Sequence, residues 1–183
     1  MLGRNPSKAV GPPRLAHLSA RDYTRHHYVT DEMWADYFTF TVVRDPIARA
    51  VSLFNHLRPV ETLGEFVHDW LPAQFMRDPD DRSAKFHFVR PQVDFLAGDD
   101  GTLLPDRIFH LETLGRDWPE LQNAANLGAP LPHRNRSVDG ATRRDLADKD
   151  LDQIVVLYAK DFEAFGYTQD AGQPKRRLFP RFG

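Results

Sequence analysis

The sequence predicts an α/β fold in which a parallel sheet is flanked by helices. Two stretches carry that expectation. Phe38-Thr39-Phe40-Thr41-Val42-Val43 is aromatic and β-branched without a charge, as a strand buried on both faces reads, and it runs straight into a helical pattern. Asp106 to Leu111 repeats the arrangement, with Ile108, Phe109 and Leu111 apolar and a helix expected from about Leu114 to Leu127, stopped by Gly128. Strand, helix, strand, helix is the order of a parallel sheet with helical crossovers.

In chain order, residues 1–14 hold Gly3, Pro6, Gly11, Pro12 and Pro13 with few apolar side chains and read as a disordered arm. Ser7-Lys8 has no preceding strand and no glycine-rich turn, so it makes no phosphate loop. Ser19 is placed to cap a short helix from Ala20 to His26, and Thr30-Asp31-Glu32-Met33 opens another before Trp34 and Tyr37. After the first strand, Asp45 caps a helix and Pro46 takes its first position. Ile47, Ala50, Val51, Phe54 and Leu57 recur at helical spacing until Pro59. Thr62 to Leu71 suggests an amphipathic helix ending at Pro72, and Asp78 to Arg82 a polar loop. Gly98-Asp99-Asp100-Gly101 reads as a solvated turn rather than a cation site. Leu151, Ile154, Val155, Leu157 and Tyr158 form the stripe of a late helix. The expected organisation is a domain over 15–168 followed by a basic tail, 169–183, whose Lys175, Arg176, Arg177 and Arg181 read as solubilising.

Composition narrows the function. The chain has 183 residues, 41% hydrophobic and 27% charged, which suits one soluble globular domain. A net charge of -2 gives no global attraction to nucleic acid, so an anion site must be local. With no cysteine there is no disulfide, thiolate metal site or cysteine nucleophile. No apolar run reaches a membrane span and no secretory region opens the chain, so a cytoplasmic protein is expected. His26-His27 point different ways on a helix and have no third ligand at suitable spacing, so no metal is expected.

The chemistry gathers at Arg44, which closes the first strand beside a helix N-terminus, a position where open α/β sheets receive ligands and where an anion is the expected guest. Arg49, Ser52 and His56 follow at i, i+3 and i+7, putting a cation, a hydroxyl and an imidazole on one helix face. Arg44 has the fork to hold a phosphate with two N–H groups while Ser52 gives a third bond; the alternative is an ion pair of Arg44 with Asp45 or another carboxylate. Pro132-His133-Arg134-Asn135-Arg136-Ser137 is a basic loop of the kind that folds over a phosphate, or else a run of solvated charges.

Val42-Val43-Arg44-Asp45-Pro46 with Arg49 and Ser52 resembles the 3′-phosphate motif of sulfotransferases that use 3′-phosphoadenosine 5′-phosphosulfate (PAPS), in particular the carbohydrate sulfotransferases. Pro91-Gln92-Val93-Asp94-Phe95-Leu96, the Asp-Gly turn, Asp106-Arg107-Ile108-Phe109-His110-Leu111-Glu112, the His133-x-Asn135-x-Ser137 run and Asp161-Phe162-Glu163-Ala164-Phe165-Gly166-Tyr167 follow in that family's order. The resemblance, from about His17 to Tyr167, implies a P-loop NTPase-like three-layer fold. It implies that Arg44 and Ser52 bind the donor's 3′-phosphate, with Arg136 and Ser137 as secondary contacts. His17, in His17-Leu18-Ser19, would be the general base on the acceptor hydroxyl; neutral imidazole, with a pKa of about 6.5, suits that task. Otherwise His17 is a surface histidine beside a helix cap. PAPS is the implied co-substrate and a carbohydrate the implied acceptor, with no metal required. Nothing from Met1 to Phe38 matches the family's first strand and its lysine-bearing 5′-phosphosulfate loop, so the chain is expected to lack both. The expected activity is therefore PAPS-dependent sulfuryl transfer, or else that of a truncated or inactive nucleotide-binding remnant; a P-loop kinase-like phosphotransferase is the further alternative.

Overall fold

The computed structural model of the chain describes residues 18–77, 84–131 and 140–169. In order these form α1 (Ala20–Arg25), α2 (Asp31–Asp36), β1 (Phe40–Val43), α3 (Pro46–Leu57), α4 (Leu63–Glu65), a π turn (Phe66–Trp70) and α5 (Leu71–Phe75). Then come α6 (Ala84–Val89), α7 (Val93–Leu96), β2 (Arg107–His110), a 3-10 turn (Leu111–Thr113) and α8 (Leu114–Ala124). A second 3-10 turn (Arg143–Asp145), α9 (Asp148–Leu157) and α10 (Ala159–Phe165) complete the order. The fold is mixed α/β, with β1 and β2 paired in a small parallel sheet flanked by helices. No described helix is long and apolar enough to cross a membrane.

The described chain divides into two compact units. One contains the described residues up to Thr41 together with Gln92–Ile108. Here Ser19 and Asp22 cap α1 reciprocally, the Ser19 hydroxyl accepting the Asp22 N–H and the Asp22 carboxylate accepting the Ser19 N–H. Burial pushes the Asp22 carboxyl up, but the two Ser19 bonds outweigh it and hold the group below its ordinary value. Helix α1 packs on α7, and Arg21 pairs with Asp99. The expected turn is present: Ala97 bridges Leu103, Gly101 takes a φ of 82°, and the Asp100 carboxylate accepts both the N–H and the hydroxyl of Thr102.

The other unit contains Val42–Pro91 and the described residues from Phe109 on. Its core centres on α3, whose Ile47, Ala50, Val51, Leu53 and Phe54 are buried. Helix α3 packs on α6 and α9, and the Phe54 ring meets Phe66 edge to face at 5.5 Å. Pro59 bars Arg58 from the right-handed helical region, and Arg58 ends α3 left-handed at φ 43°.

Three expectations are corrected. The strand before Arg44 is not buried on both faces: Phe40 and Val42 are 41% and 38% exposed, because β1 has one partner strand among the described residues and its alternate side chains point away from the core. The helix opened by Thr62 does not end at Pro72. A π turn precedes the proline, with the Leu71 N–H reaching back to the Phe66 carbonyl, and that wider turn lets the chain carry Pro72 into α5. Helix α8 stops at Ala124 rather than at Gly128, because Asn126 takes the left-handed position at φ 50° while the Leu127 N–H bonds the Gln122 carbonyl.

Candidate functional site

The Asp45-Pro46 start of α3 is built as the sequence implies. Asp45 accepts the Ala48 N–H at 2.7 Å, and Pro46 fills the first turn, where no donor is needed. The Asp45 N–H is tied in turn to Glu112 at 2.8 Å, and the other Glu112 oxygen accepts the Tyr167 hydroxyl at 2.9 Å. Thus the acidic residue after β2 and the tyrosine after α10 both brace the β1–α3 junction. Burial, followed by the Glu112 charge, pushes the Tyr167 phenol well above its ordinary value, so it stays a donor.

Beside this junction lies a cavity of about 210 Å³ lined by Arg44 with Ala48, Val51, Ser52 and Asn55 of α3, and by Ala141, Thr142 and Arg143. Arg44 and Ser52, paired by the sequence, are brought to one hollow. It runs along one flank of α3, from Ala48 to Asn55. The N-terminal anion position of α3 is already taken by the carboxylate of Asp45, 1% exposed.

The far wall depends on one contact. Asn55 clasps the backbone of Ala141 with both ends of its amide, Nδ2 donating to the carbonyl at 2.7 Å and Oδ1 accepting the N–H at 2.9 Å. This requires glycine next door, since a Cβ on Gly140 would stand 2.6 Å from Asn55 Oδ1. Thr142 and Asp145 then cap the following turn reciprocally, which fixes Arg143. Arg143 donates from Nη2 to the Gln169 carbonyl and holds Nη1 3.9 Å from Asp45 Oδ1. Burial raises the Asp45 carboxyl above its ordinary value, against the Ala48 bond and the Arg143 charge, which both lower it.

Arg49 and His56 do not join Ser52 in the cavity lining. The Arg49 guanidinium turns inward, donating to the carbonyls of Phe88 and Arg90 at 2.9 and 2.8 Å, and it sits over the Tyr158 ring, 4.0 Å from the fully buried Asp161. His56 packs edge-on against Phe88. This arginine therefore anchors the end of α6. His17, Arg136 and Ser137 lie outside the described residues. Sequence reasoning missed Asn55, Thr142 and Arg143; the Thr142-x-x-Asp145 capping pattern was the one available signal for that turn.

A cavity bordered by two guanidinium groups and two hydroxyls suits a phosphate or sulfate ester. No curated protein and no solved structure gives a significant match to the chain. A family model described as Sulfotransferase family matches residues 12–168, which take in β1, α3, the cavity-lining residues and Tyr167. With most of its length matched, the chain belongs to the sulfotransferase family.

Proposed function

We propose that the protein transfers a sulfuryl group from PAPS to a hydroxyl of a carbohydrate acceptor, on a P-loop NTPase-like architecture. One observation carries this reading: Arg44 and Ser52, eight residues apart in sequence, line a single cavity with a second arginine beside them. In the proposed reaction Arg44 holds the donor's 3′-phosphate through its planar fork and Ser52 adds a hydroxyl bond, fixing the donor's register. Arg136 and Ser137 add secondary contacts. The acceptor oxygen attacks sulfur, an O–S bond forms, and the S–O bond to 3′-phosphoadenosine 5′-phosphate (PAP) breaks. His17 takes the acceptor proton, and PAP leaves with the bonding electron pair.

A second reading, a nucleotide-binding remnant without transfer activity, has its own support. The sequence from Met1 to Phe38 does not resemble the family's lysine-bearing 5′-phosphosulfate loop, and wherever such electrostatic help is lost the rate falls by orders of magnitude. Calorimetry with PAP tests the shared part. Arg44→Ala removes charge-assisted bonds worth about 1.5–3 kcal/mol each, so PAP affinity falls at least about tenfold. Unchanged affinity refutes the assignment. Transfer of radiolabelled sulfate from PAPS to a panel of glycans, lost in His17→Ala, then separates enzyme from remnant.

A further inference from the structure

The peptide that joins Arg44 to Asp45 is held from outside its own element. Such a peptide is planar, so the Asp45 N–H and the Arg44 Cα belong to one rigid plate. With Val43 already held in β1, fixing this plate sets the direction in which the Arg44 side chain leaves the backbone. Glu112 does the fixing from 67 residues away, its Oε1 accepting the Asp45 N–H at 2.8 Å. On the other side of the same residue Asp45 Oδ1 accepts the Ala48 N–H at 2.7 Å, so the junction cannot turn without losing a bond.

Glu112 is exposed, and a glutamate at a surface ordinarily samples many rotamers. Tyr167 removes that freedom. Its hydroxyl donates to Glu112 Oε2 at 2.9 Å, and its ring, 4% exposed, is met edge-on by His110 at 5.2 Å, while His110 Nε2 reaches the Phe165 carbonyl at 3.1 Å. The charge of Glu112 does not favour this arrangement: after burial, it is the other influence that raises the Asp45 carboxyl. What the junction uses is the position of the two oxygens. We propose that Glu112 is a positioning residue for Arg44, held in one rotamer by Tyr167, and that the pair aims the Arg44 guanidinium into the cavity. For the nucleotide this rests on the reading of Arg44 as a ligand of the donor.

The mobility of the Arg44 Nε–H group in the full chain, read as its heteronuclear NOE and assigned through Arg44→Lys, tests it without any nucleotide. Glu112→Ala and Tyr167→Phe each lower the NOE. Glu112→Gln retains it, because the amide oxygen still accepts the Asp45 N–H and the amide nitrogen donates to the Tyr167 oxygen. A thermal melt checks folding, and Tyr167→Phe, which keeps the ring against His110, carries the test if Glu112→Ala does not fold. An unmoved NOE in the folded variants overturns the proposal, as does an equal loss in Glu112→Ala and Glu112→Gln, which would make the charge responsible. Calorimetry with PAP gives the functional arm: freeing a long side chain that binding must then order weakens affinity by about 2- to 12-fold in Glu112→Ala, with Glu112→Gln within twofold of the unaltered protein. Affinity lost in Arg44→Ala but intact in Glu112→Ala overturns the positioning role. If the NOE responds as expected while PAP affinity is indifferent to Arg44→Ala, the positioning of Arg44 stands and its reading as a nucleotide ligand fails.

Discussion

Gly140→Ala perturbs the cavity wall through one methyl group. The added Cβ would lie 2.6 Å from Asn55 Oδ1, 2.7 Å from Cγ and 3.0 Å from Nδ2, so the Asn55 amide must swing away and release both bonds to Ala141. Those bonds are part-buried, and at about 0.5–1.5 kcal/mol each their loss costs about 1–3 kcal/mol. A side chain at the Gly140 φ of 156° adds strain of about 1–3 kcal/mol that does not involve Asn55. The two parts separate in a double-mutant cycle with Asn55→Ala, read by urea unfolding. Each single substitution releases the same two bonds, so the double variant loses them once. It should be less destabilised than the sum of the singles by about 1–3 kcal/mol. Strict additivity refutes the clasp as the reason for glycine at this position.

Two further tests follow from buried charges. Arg49→Ala breaks the contacts that hold the Phe88 and Arg90 carbonyls and removes the cation facing Asp161; unfolding free energy should drop by about 3 kcal/mol, with PAP affinity of the folded protein within twofold. A loss of affinity without loss of stability would return Arg49 to the binding site. Asp45 has its carboxyl raised above 3.8 by burial, so the folded state takes up its proton more readily than the unfolded chain. Ionised Asp45 therefore costs stability at neutral pH, and that cost is relieved as pH falls through the raised value towards 3.8. Asp45→Asn keeps a capping oxygen and should be at least as stable at pH 7, with the advantage shrinking towards pH 4.5 in urea midpoints. A less stable variant at pH 7 would mean that attraction to Arg143 outweighs desolvation.

The parts legible in the sequence were those decided within a few residues. Asp45-Pro46 announces α3, and Ser19 and Thr30 announce α1 and α2, because each signal is local chemistry; the eight-residue spacing of Arg44 and Ser52 likewise brings both to one cavity. The opposite wall was hidden because the Asn55–Ala141 clasp joins residues 86 positions apart, and an asparagine on a helix carries no mark of its distant partner. Arg49 misled for the same reason: helical spacing put it near Ser52, but carbonyls of another helix decide where it points. Likewise Phe40 and Val42 read as core because a β-branched run says nothing of how many strands will cover it.

Both oxygens of the buried Asp150 are engaged: one accepts the Ala147 N–H that begins α9, and the other meets His68 Nε2 of the π turn at 2.7 Å. A single carboxylate thus fastens the first turn of one helix to the widened turn of another. Neither can fray alone without releasing the other, so the amide protons of Leu71 and Leu151 should exchange with solvent in one cooperative opening.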